Sequence, residues 1–195
     1  MIYQFLEVHR HNQAHQDLKN AARGISSLLM LDDKIRVSLI KIAPKILLMT
    51  YDPNQEVQDT MRQLWSSLIP ASEEPTFIIN RWDEIFQSCV SGIKSEAWRS
   101  RQAACLCLTD LIQAQSRTWS DISKDYRIIF LTSLGLMSDD AKDSVKHAAF
   151  KLVKALRSFT LKFCNLYSNT NLKELEEVLN TIVPLVLDDC LKSML

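Results

Sequence analysis

Apolar residues return at one spacing four times along the chain: a start position, then three, four, seven and eleven residues on. The sets are Leu18, Ala21, Ala22, Ile25, Leu29; Val57, Thr60, Met61, Leu64, Leu68; Ser100, Ala103, Ala104, Cys107, Leu111; and Val145, Ala148, Ala149, Leu152, Leu156. That spacing puts each set on one face of an α-helix. The starts lie 39, 43 and 45 residues apart, and a helical repeat of about 40–47 residues marks an α-solenoid. A helix pair of this kind buries too little by itself, so neighbouring pairs must stack.

Amphipathic stripes between these sets supply the first, or A, helix of each pair, and the spaced sets supply the B helix. A helices are expected over Asp32–Thr50, Thr76–Gly92 and Trp119–Met137, with a short helix at Ile2–Val8 and a last one over Leu172–Leu195. Asp52 and Pro53 are expected to cap and open a B helix near Asn54, as N-cap and first-turn proline do. Ser95 with Glu96 opens the next, to about Gln115, and Ser138, Asp139 and Asp140 a third, to about Leu166. The predicted fold is all-α, an α-solenoid of about four repeats over residues 1–195. Its repeats fall at about 1–30, 32–69, 75–116 and 118–166, with a half repeat at 172–195. Pro44 sits inside an expected A helix, where proline kinks the helix and removes one backbone bond. Pro184 repeats the device thirteen residues before its expected B helix, so the chain is expected to stop in mid-repeat and to be part of a longer solenoid.

Composition narrows the function. Only 3 glycines and 5 prolines occur in 195 residues, too few for the closely spaced turns of a β-rich fold. Basic and acidic residues balance at 23 each, and the pI is about 6.9, which argues against nucleic-acid binding. No stretch reaches the ~20 apolar residues of a membrane span, and the N-terminus lacks a signal-peptide pattern. Direct membrane insertion is not expected, and the expected location is cytoplasm and nucleus. Cys89, Cys105, Cys107, Cys164 and Cys190 all fall in helical patterns and are expected to be reduced core residues.

Chemistry-bearing motifs are scarce. No nucleophile elbow, zinc-protease helix or phosphate loop is present, and no small-molecule substrate or cofactor is implied. His11 and His15 could share a helix face, but a third metal ligand is missing and the segment is expected to be a solvated linker. Paired acids at Asp32–Asp33, Glu73–Glu74, Asp139–Asp140 and Asp188–Asp189 sit at turns or helix ends and are expected to cap them. The chain is expected to have no enzymatic activity.

One local candidate for partner contact stands out: Trp98, Arg99 and Arg101, an aromatic and two guanidinium groups at the opening of a B helix. The competing and preferred expectation is that Trp98 packs between repeats while Arg101 pairs with an acidic group of a neighbouring repeat. Lys142, Lys146, Lys151, Lys154, Arg157 and Lys162 gather along the third long B helix. They could meet an acidic partner; beside Asp139, Asp140 and Asp143, a solvated face is the expectation.

Several of these segments resemble one family. Tyr51-Asp52-Pro53-Asn54, then Met61 and Leu64-Trp65-Ser66-Ser67-Leu68, is similar to its "FDPN…M…IWNALV" stretch. Ser95 to Leu108, containing Trp98-Arg99-Ser100-Arg101, resembles its "WRVRESSCLAL" segment, and Asp139 to Ala149 its "DDIKESVRKAA" segment. Lys19 to Gly24 is similar to its "RKGAAFGF" segment. The family is that of the proteasome adaptor and scaffold proteins, very long HEAT-repeat solenoids. The resemblance implies HEAT-like helix pairs and a partner, the 26S proteasome, with its regulatory and core particles held together. It also implies a part in proteasome quality control and in linking proteasomes to membrane compartments. Ser100, Gln58 and Lys146 depart from the family pattern, and a lysine lacks the two-pronged fork of an arginine. The rival expectation is another HEAT module, such as a tubulin-binding or nuclear transport array.

Overall fold

The computed structural model describes residues 39–114 and 118–167, together with positions 16, 17, 20, 24, 176, 180 and 184. The expected first repeat and terminal half repeat, His11, His15 and Cys190, and the side chain of Cys164, lie outside the described residues. Within them all regular structure is helical and no strand occurs; seven helices have both ends described. The helices are α1 (Ala43–Met49), α2 (Gln55–Leu68), α3 (Glu74–Asn80), α4 (Trp82–Gly92), α5 (Trp98–Gln113), α6 (Trp119–Asp139) and α7 (Asp143–Tyr167). The chain divides into two compact units, residues 1–92 and 93–195.

In the first unit α1 packs on α2 and on α4. The α2 stripe forms as its spacing dictates: Val57, Thr60, Met61, Leu64, Trp65 and Leu68 are buried. Its cap differs by two residues from the expectation. Asn54 caps the helix, its Oδ1 accepting from the Val57 N–H at 3.1 Å, while Asp52 accepts the Asn54 N–H at 2.8 Å. The pairing of Asx turn and cap holds the chain extended at Asn54 until Gln55 can enter the helix.

Pro44 breaks the A helix where a kink was expected. Leu39 and Ile40 are helical, Lys41 and Ile42 turn, and α1 restarts with Pro44 in its first turn. Proline has no N–H to give to the carbonyl four residues back, so the Ile40 oxygen needs another donor. Arg81 provides it from Nη1 at 3.3 Å. The same guanidinium bonds Glu84 at 2.8 Å and lies 5.7 Å from the Phe77 ring centre. Arg81 is also where the expected single helix over Thr76–Gly92 divides into α3 and α4, its backbone leaving the helical region at φ −117° and ψ 24°.

The second unit is built on α7, which packs against both α5 and α6. Small residues line the α5 contact face: Ala103, Ala104, Cys105 and Cys107 are all buried, and Ala148, Ala149 and Ala155 are buried on α7. Small side chains let two helix backbones come close. The hairpin α6–α7 closes on aromatic contacts far from its turn. Trp119 and Phe159 have ring centres 6.3 Å apart, and the Tyr126 hydroxyl meets Thr160 Oγ1 at 2.9 Å in a buried bond. Residues early in α6 thus meet residues late in α7, which makes the pair antiparallel.

Candidate functional site

Three turns lead into the long B helices, and all three use one local device. The side chain of Asp52 accepts the N–H of Asn54 at 2.8 Å, that of Ser95 the N–H of Ala97 at 3.2 Å, and that of Asp140 the N–H of Lys142 at 2.9 Å. These are the short polar side chains that mimic a backbone turn. Six residues after each comes Gln58, Arg101 or Lys146. Gln58 Nε2 reaches back to the Asp52 carbonyl at 3.4 Å, and Arg101 Nη1 to the Ser95 carbonyl at 2.9 Å. The repeat visible in the spacing is therefore also a repeat of hydrogen bonds.

The guanidinium of Arg101 makes three bonds within its own unit. Nη1 donates to the carbonyls of Ser95 and Glu96 at 2.9 and 2.7 Å, and Nε donates to Asp140 Oδ2 at 2.7 Å. The Asp140 side chain is only 2% exposed and that of Arg101 17%. The guanidinium, first through its hydrogen bond, holds the Asp140 carboxyl below the usual carboxylate range against the opposing effect of burial. A carboxylate so deeply placed needs this partner, because an uncompensated buried charge costs several kcal/mol. The Arg101–Asp140 pair thus fixes the start of α5 to the α6–α7 turn, 39 residues on.

Trp98 and Arg99 flank this tie and are half-buried. The Lys142 ammonium sits 5.6 Å from the Trp98 ring centre, a cation–π contact across the same two elements. Lys142 and Asp140 thereby grip α5 from one turn. Spacing alone pointed to Arg101 and to an acid in a neighbouring repeat; it gave no means of choosing Asp140 over Asp139, which ends α6. Ser138 and Asp139 close α6 where they were expected to open the next helix, and α7 begins at Asp143.

No reactive group adjoins the tie. Burial pushes the Cys105 thiol up to about 12, Asp140 adds to the shift and Arg101 opposes it. At neutral pH it is a thiol, and thiols attack poorly. Cys89, Cys105 and Cys107 are all buried and none is in a disulfide.

A second feature escaped the sequence. The end of α5 and the later part of α7 leave a cleft of about 150 Å³, lined by Ile112, Gln113 and Ala114 on one side and Ala155, Ser158, Phe159 and Lys162 on the other. Since the starts of α5 and α7 meet at the Arg101 tie and their later parts meet at this cleft, the two B helices run parallel.

No family model and no solved structure matches the chain. Curated relatives do. The chain is 27% identical over 166 residues to the proteasome adapter and scaffold protein ECM29 of Homo sapiens, covering 85% of this chain and 9% of that protein. It is 27% identical over 190 residues to the proteasome component ECM29 of Saccharomyces cerevisiae, covering 94% and 10%. Against the proteasome-associated ECM29 homologue of Drosophila melanogaster it is 31% identical over 113 residues, covering 57% and 6%. The chain thus spans about a tenth or less of the length of the curated relatives it matches.

Proposed function

We propose that this chain, similar over most of its length to the ECM29 proteasome adapter and scaffold proteins, is a proteasome-binding scaffold segment acting through protein–protein contacts. In this reading its helix pairs present docking faces to the 26S proteasome, help hold regulatory and core particles together, and serve proteasome quality control in cytoplasm and nucleus. The mechanism is geometric: stacked repeats present extended surfaces whose curvature follows from small rotations between neighbours. No bond is made or broken, in keeping with carboxylates that cap turns and buried thiols that stay protonated.

The observation that carries this reading is agreement over most of the chain with relatives of that name, on a framework in which one turn device recurs at Asp52, Ser95 and Asp140. A tubulin-binding array would gather basic residues on the turn edge; here Arg101 is held by Asp140 and two carbonyls instead. The test is a pull-down of the recombinant chain against purified core particle and purified regulatory particle. Retention of either, lost on competition with untagged chain, is the expected result. Stoichiometric co-sedimentation with microtubules and no retention of either particle would replace this reading with its rival.

A further inference from the structure

We infer that α7 and its cleft form a docking site for an acidic segment of a partner protein, anchored by one apolar side chain. The inference stands on α5 and α7 alone and does not depend on which assembly the chain joins.

His147, Lys151, Lys154, Ser158 and Lys162 follow one another at four, three, four and four residues, the spacing that aligns side chains in a single row on a helix. All five are exposed. Among the described residues Lys151, Lys154 and Lys162 make no ion pair, whereas Lys142 lies over Trp98 and Lys146 lies 4.0 Å from Asp143. The acids beside the row do not neutralise it. Asp140 is taken by Arg101 and Lys142 N–H, Asp143 stands beside Lys146, and from Ser144 to Tyr167 the helix contains no acid. His147 gives its Nδ1–H to the Asp143 carbonyl at 2.7 Å, which leaves its second ring nitrogen directed away from that bond.

A row of solvated lysines by itself would need no partner. What turns it into a site is the cleft at its end. Ser158 and Lys162 belong both to the row and to the cleft wall, whose other residues, Ile112, Gln113, Ala114, Ala155 and Phe159, are apolar but for Gln113. A volume of about 150 Å³ accommodates one benzene-sized group, so it fits a single Phe or Leu side chain and not a small-molecule cofactor. From His147 to Lys162 the row rises about 22 Å, which about seven residues of extended chain would span. The occupant is therefore a short acidic stretch of protein, carboxylates toward Lys151 and Lys154, with an apolar residue at the end beside Lys162.

The probe is a fluorescent peptide of about ten residues, rich in Glu and Asp with one Phe near an end, titrated against the full chain by anisotropy. Binding should weaken about tenfold or more in Lys151→Glu/Lys154→Glu and when salt rises from 50 to 500 mM, as exposed charges become screened. It should also weaken about fivefold or more in Ser158→Trp, which closes the cleft from its exposed rim, and when the peptide's Phe becomes Ser. Circular dichroism of both variants should match the parent chain. Three results would overturn the inference: no binding to the parent chain, binding indifferent to the Phe and to Ser158→Trp, or equal binding to vesicles of anionic phospholipid. A fourth is a zero-length cross-link joining Lys151 or Lys154 to Glu174, Glu176 or Glu177 of the same molecule, which would make the chain itself the occupant.

Discussion

Arg101 and the lysines of α7 carry the same charge on two helices packed side by side, yet their situations are opposite. Arg101 bonds one buried carboxylate and two carbonyls, while Lys151, Lys154 and Lys162 point outward without ion partners among the described residues. The difference arises from where each falls relative to the packed face. Arg101 lies one residue past the start of its apolar stripe, beside the turn of the following helix pair; the α7 lysines lie on the flank away from Val145, Leu152 and Leu156, which are buried. A cation against a core is a structural element, and one on a free flank is available for recognition. Basic residues must therefore be sorted by the face they occupy before any are assigned to binding.

Breaking the tied cation should have the largest effect. Arg101→Met should lower unfolding stability by about 3 kcal/mol, because Asp140 keeps its burial and loses its counter-charge. Chemical denaturation at pH 7 measures this. Arg101→Lys should recover only part of the loss, since an ammonium cannot serve carbonyl and carboxylate with the same fork.

The pair should also set the acid limit of the fold. The Asp140 carboxyl lies below the usual range when folded, so the unfolded chain binds its proton more readily and stability rises with pH. The contribution is complete above about pH 5, where the unfolded carboxylate is fully ionised, and disappears as pH falls through the depressed folded value. Asp140→Asn should flatten this slope in denaturation curves taken from pH 7 to pH 3. An unchanged slope would remove the pair from that role.

Smaller effects sharpen the contrast. Asn54→Ala should cost about 1 kcal/mol, the usual value of an N-cap, read from the shift of the denaturation midpoint. Lys151→Glu/Lys154→Glu should stay within about 0.5 kcal/mol of the parent, as surface substitutions do. A loss comparable to that of Arg101→Met would show that the α7 row is structural and would end the contrast. Smallest of all should be native reactivity of the buried thiols: Cys89, Cys105 and Cys107 should resist a thiol reagent until denaturant is added, when each becomes accessible.

Much of this was legible in the chain. The stripe at Val57 to Leu68 and that at Val145 to Leu156 became buried helix faces because apolar residues at 3.6-residue periodicity have only one way to leave water together. Turn positions were legible too, since Asp and Ser followed by an extended residue bond their own backbone whatever surrounds them. Helix limits were less so. Arg81 divides an apolar stripe that reads as continuous, and it does so for a carbonyl 41 residues earlier that Pro44 leaves without a donor. Nothing local to Arg81 announces that need.

By itself the sequence determined the all-helical class, the repeat period and, to within a few residues, where each described B helix starts. Those properties depend on contacts within a turn or two, so composition and spacing are sufficient. Only the tertiary structure decided that Arg101 meets Asp140, that Arg81 serves Ile40, and that the lysine row of α7 ends, at Lys162, on a largely apolar cleft rather than a plain solvated face. Each of those joins residues distant in sequence, and their proximity depends on which helix faces meet when the core closes.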